Sequence, residues 1–207
     1  MELGSDPMVF LRSTAPETSP VLYGRGLYLR PPHPNDYAQW AELREASRQH
    51  LVPWEPTWSR DELSRTSFRR RLRIYQRDMA EDLGYAFFIF REVDDALLGG
   101  LTLSNVRRGV TQAVTLGYWI GARFASQGRM TEAVRVIVPF VFDDLRLHRL
   151  EASCLPHNAA SMRVLERNGF QREGLARRYL KIDGAWRDHV LYALLDEDRV
   201  GGRGGGA

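Results

Sequence analysis

A strand, a glycine-bearing loop and the start of a helix follow one another near the centre of the chain. The alternation in Leu116–Ile120 predicts a strand, and the apolar periodicity after Gly128 predicts a helix. The first N–H groups of a helix lack partners and lie at the positive end of its dipole, so they attract phosphate. Gly128 would let the backbone approach such a ligand closely. The junction lacks the P-loop and dinucleotide-binding patterns, and an ordinary helix start fits it equally well.

A second polar pattern lies around Asn158 and Ser161. Asn158 has the residue type of a helix N-cap, and Asn168-Gly169 is typical of a helix end. Together with the first junction, the segment His157–Phe170 resembles the cofactor motifs of the GCN5-related N-acetyltransferases (GNAT). The resemblance is carried by Asn-x-x-Ser and a terminal Gly-Phe at the spacing of that family.

Two further stretches narrow the resemblance to one branch of the family. Tyr179–Leu191 and the Pro-Trp-Glu-Pro sequence at Pro53–Pro56 are similar to the RimJ-like branch, which acetylates the N-terminal alanine of ribosomal protein S5. The resemblance covers about residues 25–198. It implies an N-acetyltransferase that uses acetyl-CoA as co-substrate, with direct transfer in a ternary complex to a protein N-terminus, the leading candidate being the N-terminal Ala of a ribosomal protein.

Two other functions stay open at this point. Within the enzyme class, the acceptor could be a small-molecule amine, or the acyl group could be larger than acetyl. In a different class, the chain could be a non-catalytic acyl-CoA sensor or a ribosome-assembly protein that binds RNA through its arginines. The sequence leaves the oligomeric state open between monomer and homodimer.

The resemblance also implies where acetyl-CoA binds. In this family the sheet splays open between its fourth and fifth strands, which the alternation locates at 111–120 and 149–154. The implied cofactor contacts come from Tyr118, Trp119, Ile120, Gln127, Gly128, Arg129, Met130, Thr131, Asn158 and Arg163. Main-chain groups of the first three would pair with the pantetheine arm, and an N–H near Trp119 or Ile120 would meet the oxyanion. Amides of the next five would hold the phosphates. Asn158 could equally be a helix cap alone, and Arg123, Arg129 and Arg163 could equally face solvent.

The chain departs from the family pattern at two places. The loop at residues 125–130 keeps only the middle glycine of the usual Gln/Arg-x-x-Gly-x-Gly/Ala sequence. Leu165 stands where many relatives have the tyrosine that protonates the departing thiolate. We therefore expect Ser161 to be the general acid, directly or through water, although a serine in the first turn of a helix could also be structural.

The acceptor amine needs only modest help to lose its proton. An α-amino group has a pKa of about 8, so part of it is already neutral at pH 7 and a weak general base suffices. Glu55 is the first choice for this base, because Trp54 beside it would partly desolvate the carboxylate. A substrate-binding role for Trp54 and Glu55 is the close alternative. The lesser candidates are His148, Asp188 and His189.

Hydrophobic periodicity predicts the elements that must position these residues. Strands are expected at 26–30, 85–91, 97–104, 111–120, 149–154, 175–182 and 189–195. Four helices are expected: one from near Pro34, one after a capping box at Ser59–Glu62, one after Gly128 that Pro139 should bend, and one from Asn158. This pattern predicts an α+β domain around a mixed, mostly antiparallel sheet.

Length and composition predict one folded domain. The chain has 207 residues, of which 43% are hydrophobic, enough for a single core and too apolar for a disordered protein. We expect a GNAT domain at 21–199, a flexible leader at 1–20 and a flexible glycine-rich tail at 200–207. The longest apolar run, Val136–Phe142, is far shorter than the roughly 20 residues of a membrane span, and the first residues lack a signal peptide, which favours a cytoplasmic location.

Charge and cysteine content set further limits. The net charge is +3, and 28 of the 29 basic residues are arginine, which suits an anionic ligand or a ribonucleoprotein surface but shows no pattern of a DNA-binding protein. The single cysteine, Cys154, cannot form an internal disulfide, and its alternation with Leu150 and Ala152 predicts a buried core position. No cluster of cysteine and histidine suggests a metal site.

Overall fold

The computed structural model describes residues 20–199. The predicted tail at 200–207 and all but the last residue of the predicted leader at 1–20 lie outside this range. Within 20–199, every helix is too short or too polar to span a bilayer.

Within residues 20–199, eight strands form one sheet in the order β1-β2-β3-β4-β5-β6-β8-β7. Their bounds are β1 Leu22–Gly24, β2 Leu27–Arg30, β3 Tyr85–Arg91, β4 Leu97–Arg107, β5 Ala113–Ile120, β6 Arg149–Cys154, β7 Gln171–Ile182 and β8 Ala185–Leu195. Among these eight described strands, only the pair β5–β6 is parallel. The predicted mixed, mostly antiparallel sheet is confirmed, with β1 as an additional edge strand that is too short for an alternation pattern.

The described part of the chain contains five α-helices. They are α1 Tyr37–Ala46, the single turn α2 Arg48–Leu51, α3 Arg65–Ala80, α4 Arg129–Pro139 and α5 Ala159–Arg167. The predicted start of the second long helix at Ser59 is wrong. The Ser59 hydroxyl donates to Asp61 at 2.8 Å within a turn, while Ser64 is the true N-cap, its side chain accepting from the Ser67 amide at 3.1 Å. Both sites match the N-cap pattern, and the turn at Ser59 uses its hydroxyl elsewhere.

Both faces of the sheet are covered by helices. Phe88 lies 6.3 Å from the ring of Phe68 on α3, and its neighbour Phe87 lies 5.5 Å from Phe140, which follows α4. Successive strand residues point to opposite faces, so α3 and α4 lie on opposite sides. Pro139 ends the regular part of α4, and a π-helical turn at Phe140–Asp144 follows. A proline that removes one backbone bond accounts for this change of helix type.

The parallel pair β5–β6 separates part of the way along its length. The two strands pair with each other from Ala113–Arg149 to Leu116–Ala152. Beyond that point β5 continues to Ile120 and β6 to Cys154 without pairing with each other. These two strands are the predicted fourth and fifth, counted without β1. The predicted splay is therefore confirmed, and it leaves one side of residues 117–120 without a strand partner.

Candidate active site

A cavity of about 570 Å³ opens where β5 and β6 separate. Its walls come from these two strands, the start of α4, α5, the loop after α2 and the β7–β8 hairpin. Of the residues predicted to form the site, it is lined by Trp54, Glu55, Tyr118, Trp119, Ile120, Gly128, Arg129, Met130, Thr131, Asn158, Ser161 and Arg163. Gln127 does not line the cavity, because its side-chain amide turns back to donate to the Arg123 carbonyl at 2.9 Å.

The start of α4 has the geometry of an anion site. Gly128 is the N-cap residue with φ +73°, a left-handed conformation that favours glycine, and a Cβ placed on it would meet no atom within 4 Å. The first bond into the helix runs from the Glu132 amide to the Gly128 carbonyl at 3.0 Å. The amides of Arg129, Met130 and Thr131 therefore lie in the first turn, before any bond of the α-helix can use them. Open space beside these donors fits the diphosphate of a nucleotide cofactor.

The arginines near this turn differ in their surroundings. Arg129 and Arg163 line the cavity, and within residues 20–199 neither forms an ion pair. Both are therefore available to a phosphate. Arg123 is not part of the lining, and its guanidinium lies over the ring of Phe124 at 4.8 Å from the centroid.

The register of β5 decides which main-chain groups face the opening. The Gly121 amide donates to the Leu98 carbonyl at 2.9 Å, and bonding alternates along an antiparallel pair. Main-chain groups of Trp119 must therefore point to β4, while those of Tyr118 and Ile120 point to the opening. Of the three residues predicted to contact the pantetheine arm, only Tyr118 and Ile120 therefore have main-chain groups that face the opening. Ile120 provides the N–H that can face a developing oxyanion.

The side chain of Trp119 lies on the face of the sheet opposite to that of the Tyr118 side chain. Its indole covers Gly100 of β4, where an added Cβ would come within 2.6 Å of Nε1. The guanidinium of Arg44 lies 5.0 Å from the Trp119 ring centroid. The absence of a side chain at Gly100 thus allows an aromatic wall between the cofactor strand and α1.

Two hydroxyl groups meet across the opening. The Asn158 side chain accepts from the Ser161 amide at 3.0 Å, which confirms Asn158 as the N-cap of α5. The Oη atom of Tyr118 lies 2.8 Å from the Oγ atom of Ser161. Sequence analysis assigned only main-chain contacts to Tyr118 and missed its hydroxyl. Alternation alone predicts that Tyr118 and Leu116 share a face, but not that α5 begins opposite them.

Cys154 lies at the end of β6 on the wall of the same cavity. It is buried, as predicted, together with Leu150 and Ala152. Burial raises the pKa of its thiol to about 11, against a weaker opposing effect of a hydrogen bond with Ser161. The thiol therefore stays protonated at neutral pH, which makes it a poor nucleophile.

Glu55 borders the cavity but is held firmly by the protein. Both of its oxygens accept from the Arg44 guanidinium, at 3.1 and 2.5 Å, and the Trp58 indole N–H donates to Oε2 at 2.7 Å. The aromatic partner is therefore Trp58 and not Trp54, whose ring lies 5.2 Å from that of His157. Three donors already occupy most of the acceptor positions of this carboxylate and fix its orientation, so this geometry favours the substrate-binding alternative.

The loop containing Glu55 is bonded to the β7–β8 turn. The Asp183 amide donates to the Glu55 carbonyl at 3.0 Å, and Leu180 and Ile182 of the hairpin line the cavity. Gly184, with φ +76°, completes the turn between β7 and β8. The loop and the hairpin thus form one continuous wall.

The lesser candidates for a general base are dispersed. His189 is buried and lines the cavity, with Nδ1 3.0 Å from the Arg187 carbonyl oxygen. Asp188 accepts from the Arg178 amide at 2.8 Å, and His148 lies outside the cavity, 3.6 Å from Glu197. Across the described residues, no group of three or more His, Cys, Asp or Glu side chains could hold a metal ion.

Comparison with known proteins agrees with this geometry. Residues 26–171 match the family model described as Acetyltransferase (GNAT) domain. The chain is 37% identical to the probable N-acetyltransferase YjcK of Bacillus subtilis, over 86% of this chain and 98% of that protein. It is 34% identical to the [Ribosomal protein uS5]-alanine N-acetyltransferase of Escherichia coli, over 86% of this chain and 91% of that enzyme.

A solved structure shows the same arrangement of elements. RimJ of Mycobacterium smegmatis, in complex with CoA-disulfide, superposes with a TM-score of 0.80 at 34% identity, covering 88% of this chain and 89% of that one. The predicted α+β GNAT fold and the predicted acyltransferase class are both confirmed. The chain therefore belongs to the GNAT acetyltransferase family and is an acetyl-CoA-dependent N-acetyltransferase of the RimJ type.

Proposed function

We propose that this enzyme transfers an acetyl group from acetyl-CoA to the N-terminal alanine of a ribosomal protein. The observation that carries this proposal is the 34% identity to the E. coli uS5-alanine N-acetyltransferase over 86% of the chain. The cavity walls that would contact the acceptor include the Glu55 loop and the β7–β8 hairpin.

The chain's own groups account for binding of acetyl-CoA. Amides of Arg129–Thr131 would hold the diphosphate, with Arg129 and Arg163 as charged partners. Main-chain groups of Tyr118 and Ile120 would pair with the pantetheine arm along the free side of β5. The thioester would then lie beside Ser161, with the Ile120 N–H directed at the carbonyl oxygen.

Direct transfer is favoured by the state of the only cysteine in the chain. An acyl-enzyme formed on cysteine would require a thiolate at Cys154, and its raised pKa of about 11 keeps the thiol protonated. The amine therefore attacks the thioester itself. An α-amino group with a pKa of about 8 is about one-tenth neutral at pH 7, so solvent can accept the proton that it releases.

Ser161 and Glu55 have separate roles in this proposal. Ser161 protonates the departing thiolate from the first turn of α5, where Asn158 fixes its main chain at 3.0 Å. Glu55, held by Arg44, contributes to binding of the acceptor with Trp54 and does not take up the proton. Loss of the Glu55 carboxylate should therefore raise the KM for the acceptor.

A panel of acceptors tests this function. The enzyme is incubated with acetyl-CoA and peptides starting with Ala, Ser or Met, beside polyamines and aminoglycosides. We expect kcat/KM to be highest for peptides starting with Ala, and highest of all for the amino-terminal sequence of the uS5 protein from the same genome. Fast acetylation of a small amine without peptide turnover would overturn the proposed acceptor.

A further inference from the structure

The hydroxyl pair of Tyr118 and Ser161 joins the two sides of the opening. Tyr118 lies on β5 two residues beyond the last pairing with β6, at Leu116–Ala152, and Ser161 lies in the first turn of α5. Besides the 2.8 Å contact between the hydroxyls, the Tyr118 Oη atom lies 3.3 Å from the Ser161 main-chain oxygen. Both residues line the cavity proposed to hold the thioester.

The Ser161 hydroxyl is fixed in position by its neighbours. Asn158 holds the Ser161 amide, so the main chain at this residue cannot shift without loss of the helix cap. The Cys154 thiol is also close enough to interact with Ser161. The Ser161 Oγ atom is therefore located between a phenol on β5, a thiol on β6 and the cavity.

Each hydroxyl has one proton, so the direction of the 2.8 Å bond determines where the serine proton can go. A phenol is a stronger acid than an aliphatic alcohol, which makes Tyr118 the better donor and Ser161 the better acceptor. Burial raises the pKa of Tyr118, so its phenol stays neutral and keeps its proton over the whole physiological range. When Tyr118 donates, Ser161 retains its own proton for another acceptor.

We propose that Tyr118 is a positioning residue for Ser161, donating to the serine oxygen so that the serine proton is directed at the departing sulfur. This inference rests on the proposed function, in which Ser161 is the general acid. It goes beyond that function by assigning a role to the phenol of a residue whose main chain alone was expected to bind the cofactor.

The step balances as follows. As the carbon–sulfur bond breaks, its electron pair goes to sulfur, which takes the proton from the Ser161 Oγ atom. The negative charge that develops on Oγ is removed by the Tyr118 O–H, because the phenol is the stronger acid and passes its proton to Oγ along the 2.8 Å bond. Solvent then returns a proton to the Tyr118 phenol and receives the one released by the acceptor amine.

Removal of the phenol oxygen should therefore act through Ser161. In Tyr118→Phe, the serine loses its donor and becomes free to turn toward a main-chain carbonyl of its own helix. We expect kcat to fall about 10- to 100-fold, the effect of one lost hydrogen bond to a charged group. The KM for acetyl-CoA should change little, because the main-chain groups of residue 118 remain.

A double-mutant cycle tests this inference with CoA release as the assay and whichever amine gives the fastest turnover. The variants are Tyr118→Phe, Ser161→Ala and both together. If Tyr118 acts through Ser161, Tyr118→Phe has almost no further effect in the Ser161→Ala background. An equal loss of kcat in both backgrounds would show a merely structural role and overturn the inference.

Tyr192→Phe is the matched control. The Tyr192 hydroxyl also joins the sheet to α5, donating to Glu166 at 3.0 Å, but neither residue lines the cavity. We expect it to lower the melting temperature about as much as Tyr118→Phe while leaving kcat unchanged. Unchanged kcat in Tyr118→Phe would reject the inference alone. Unchanged kcat in Ser161→Ala would reject both the acid role of Ser161 and the inference, whereas the choice of acceptor is judged separately by the peptide panel.

Discussion

Replacement of Glu55 by glutamine tests how Arg44 and Glu55 stabilise the cavity wall that is proposed to contact the acceptor. Arg44 is a buried cation whose side chain is only 7% exposed, against 21% for Glu55. Its guanidinium also lies 4.5 Å from the Trp58 ring centroid, beside the indole N–H that donates to Glu55. Glutamine keeps the shape of the side chain but removes the charge that balances Arg44.

The size of the effect follows from these contacts. Removing one partner of a buried ion pair costs about 3–5 kcal/mol, because a buried charge is left without its counter-ion. The glutamine oxygen can still accept one of the three hydrogen bonds, so we expect a loss of about 2–3 kcal/mol. For a domain of this size, such a loss lowers the melting temperature by about 4–12 °C.

Thermal unfolding and steady-state kinetics measure the two consequences. Glu45→Gln is the control, because the exposed pair between Glu45 and Arg48 lies nearby on the surface and should leave the melting temperature unchanged. In Glu55→Gln we expect a higher KM for the acceptor and an unaltered acid limb of the pH–rate profile. Loss of that limb would restore Glu55 as the general base, and an unchanged melting temperature would refute the reasoning about Arg44.

Three further predictions address the cofactor loop, the cysteine and acid stability. Gly128→Ala should weaken CoA binding measured by calorimetry. Gly109→Ala is the control, because Gly109 has a similar φ of +65° and equally open surroundings, so it should lower stability by a similar amount and leave CoA binding unchanged. Cys154→Ala should retain turnover, and accumulation of an acyl-enzyme in the unmodified protein would contradict direct transfer. Burial by itself would raise the pKa of the Asp82 carboxyl. Hydrogen bonds, of which that from Arg108 is the strongest, favour the charged form and leave the pKa lowered overall. The resulting stability is present above pH about 4, the ordinary value for Asp, and is lost as pH falls further, so unfolding curves of Asp82→Asn should show less acid dependence.

Local sequence signals predicted the parts of the fold that depend on neighbouring residues. The alternation of Arg149–Cys154 gave the bounds of β6, and Asn158 was found as a helix cap from its type and position alone. Ser59 shows the limit of this reasoning, because it has the glutamate of a capping box three residues later and Ser64 does not, yet Ser64 is the N-cap. The choice between them depends on which hydroxyl the surrounding turn already uses.

The site was predicted less completely than the fold because its contacts join distant segments. The bond between Arg44 and Glu55 requires α1 and the following loop to fold back on each other, and the contact between Tyr118 and Ser161 spans 43 residues. Neither has a periodic pattern in the sequence. Family resemblance supplied the candidate cofactor residues, while the side-chain partners that orient Glu55 and Ser161 became visible only in three dimensions.

The bond between the Asp183 amide and the Glu55 carbonyl also restricts how new acceptor preferences can arise in this scaffold. Residues 52–58 and 180–184 are more than 120 positions apart, yet each supplies part of the surface on which the other rests. Chimeras that take only one of these segments from a relative would disrupt the contact between the two segments beside the proposed thioester site. Engineering or natural diversification of acceptor choice should therefore exchange both segments together.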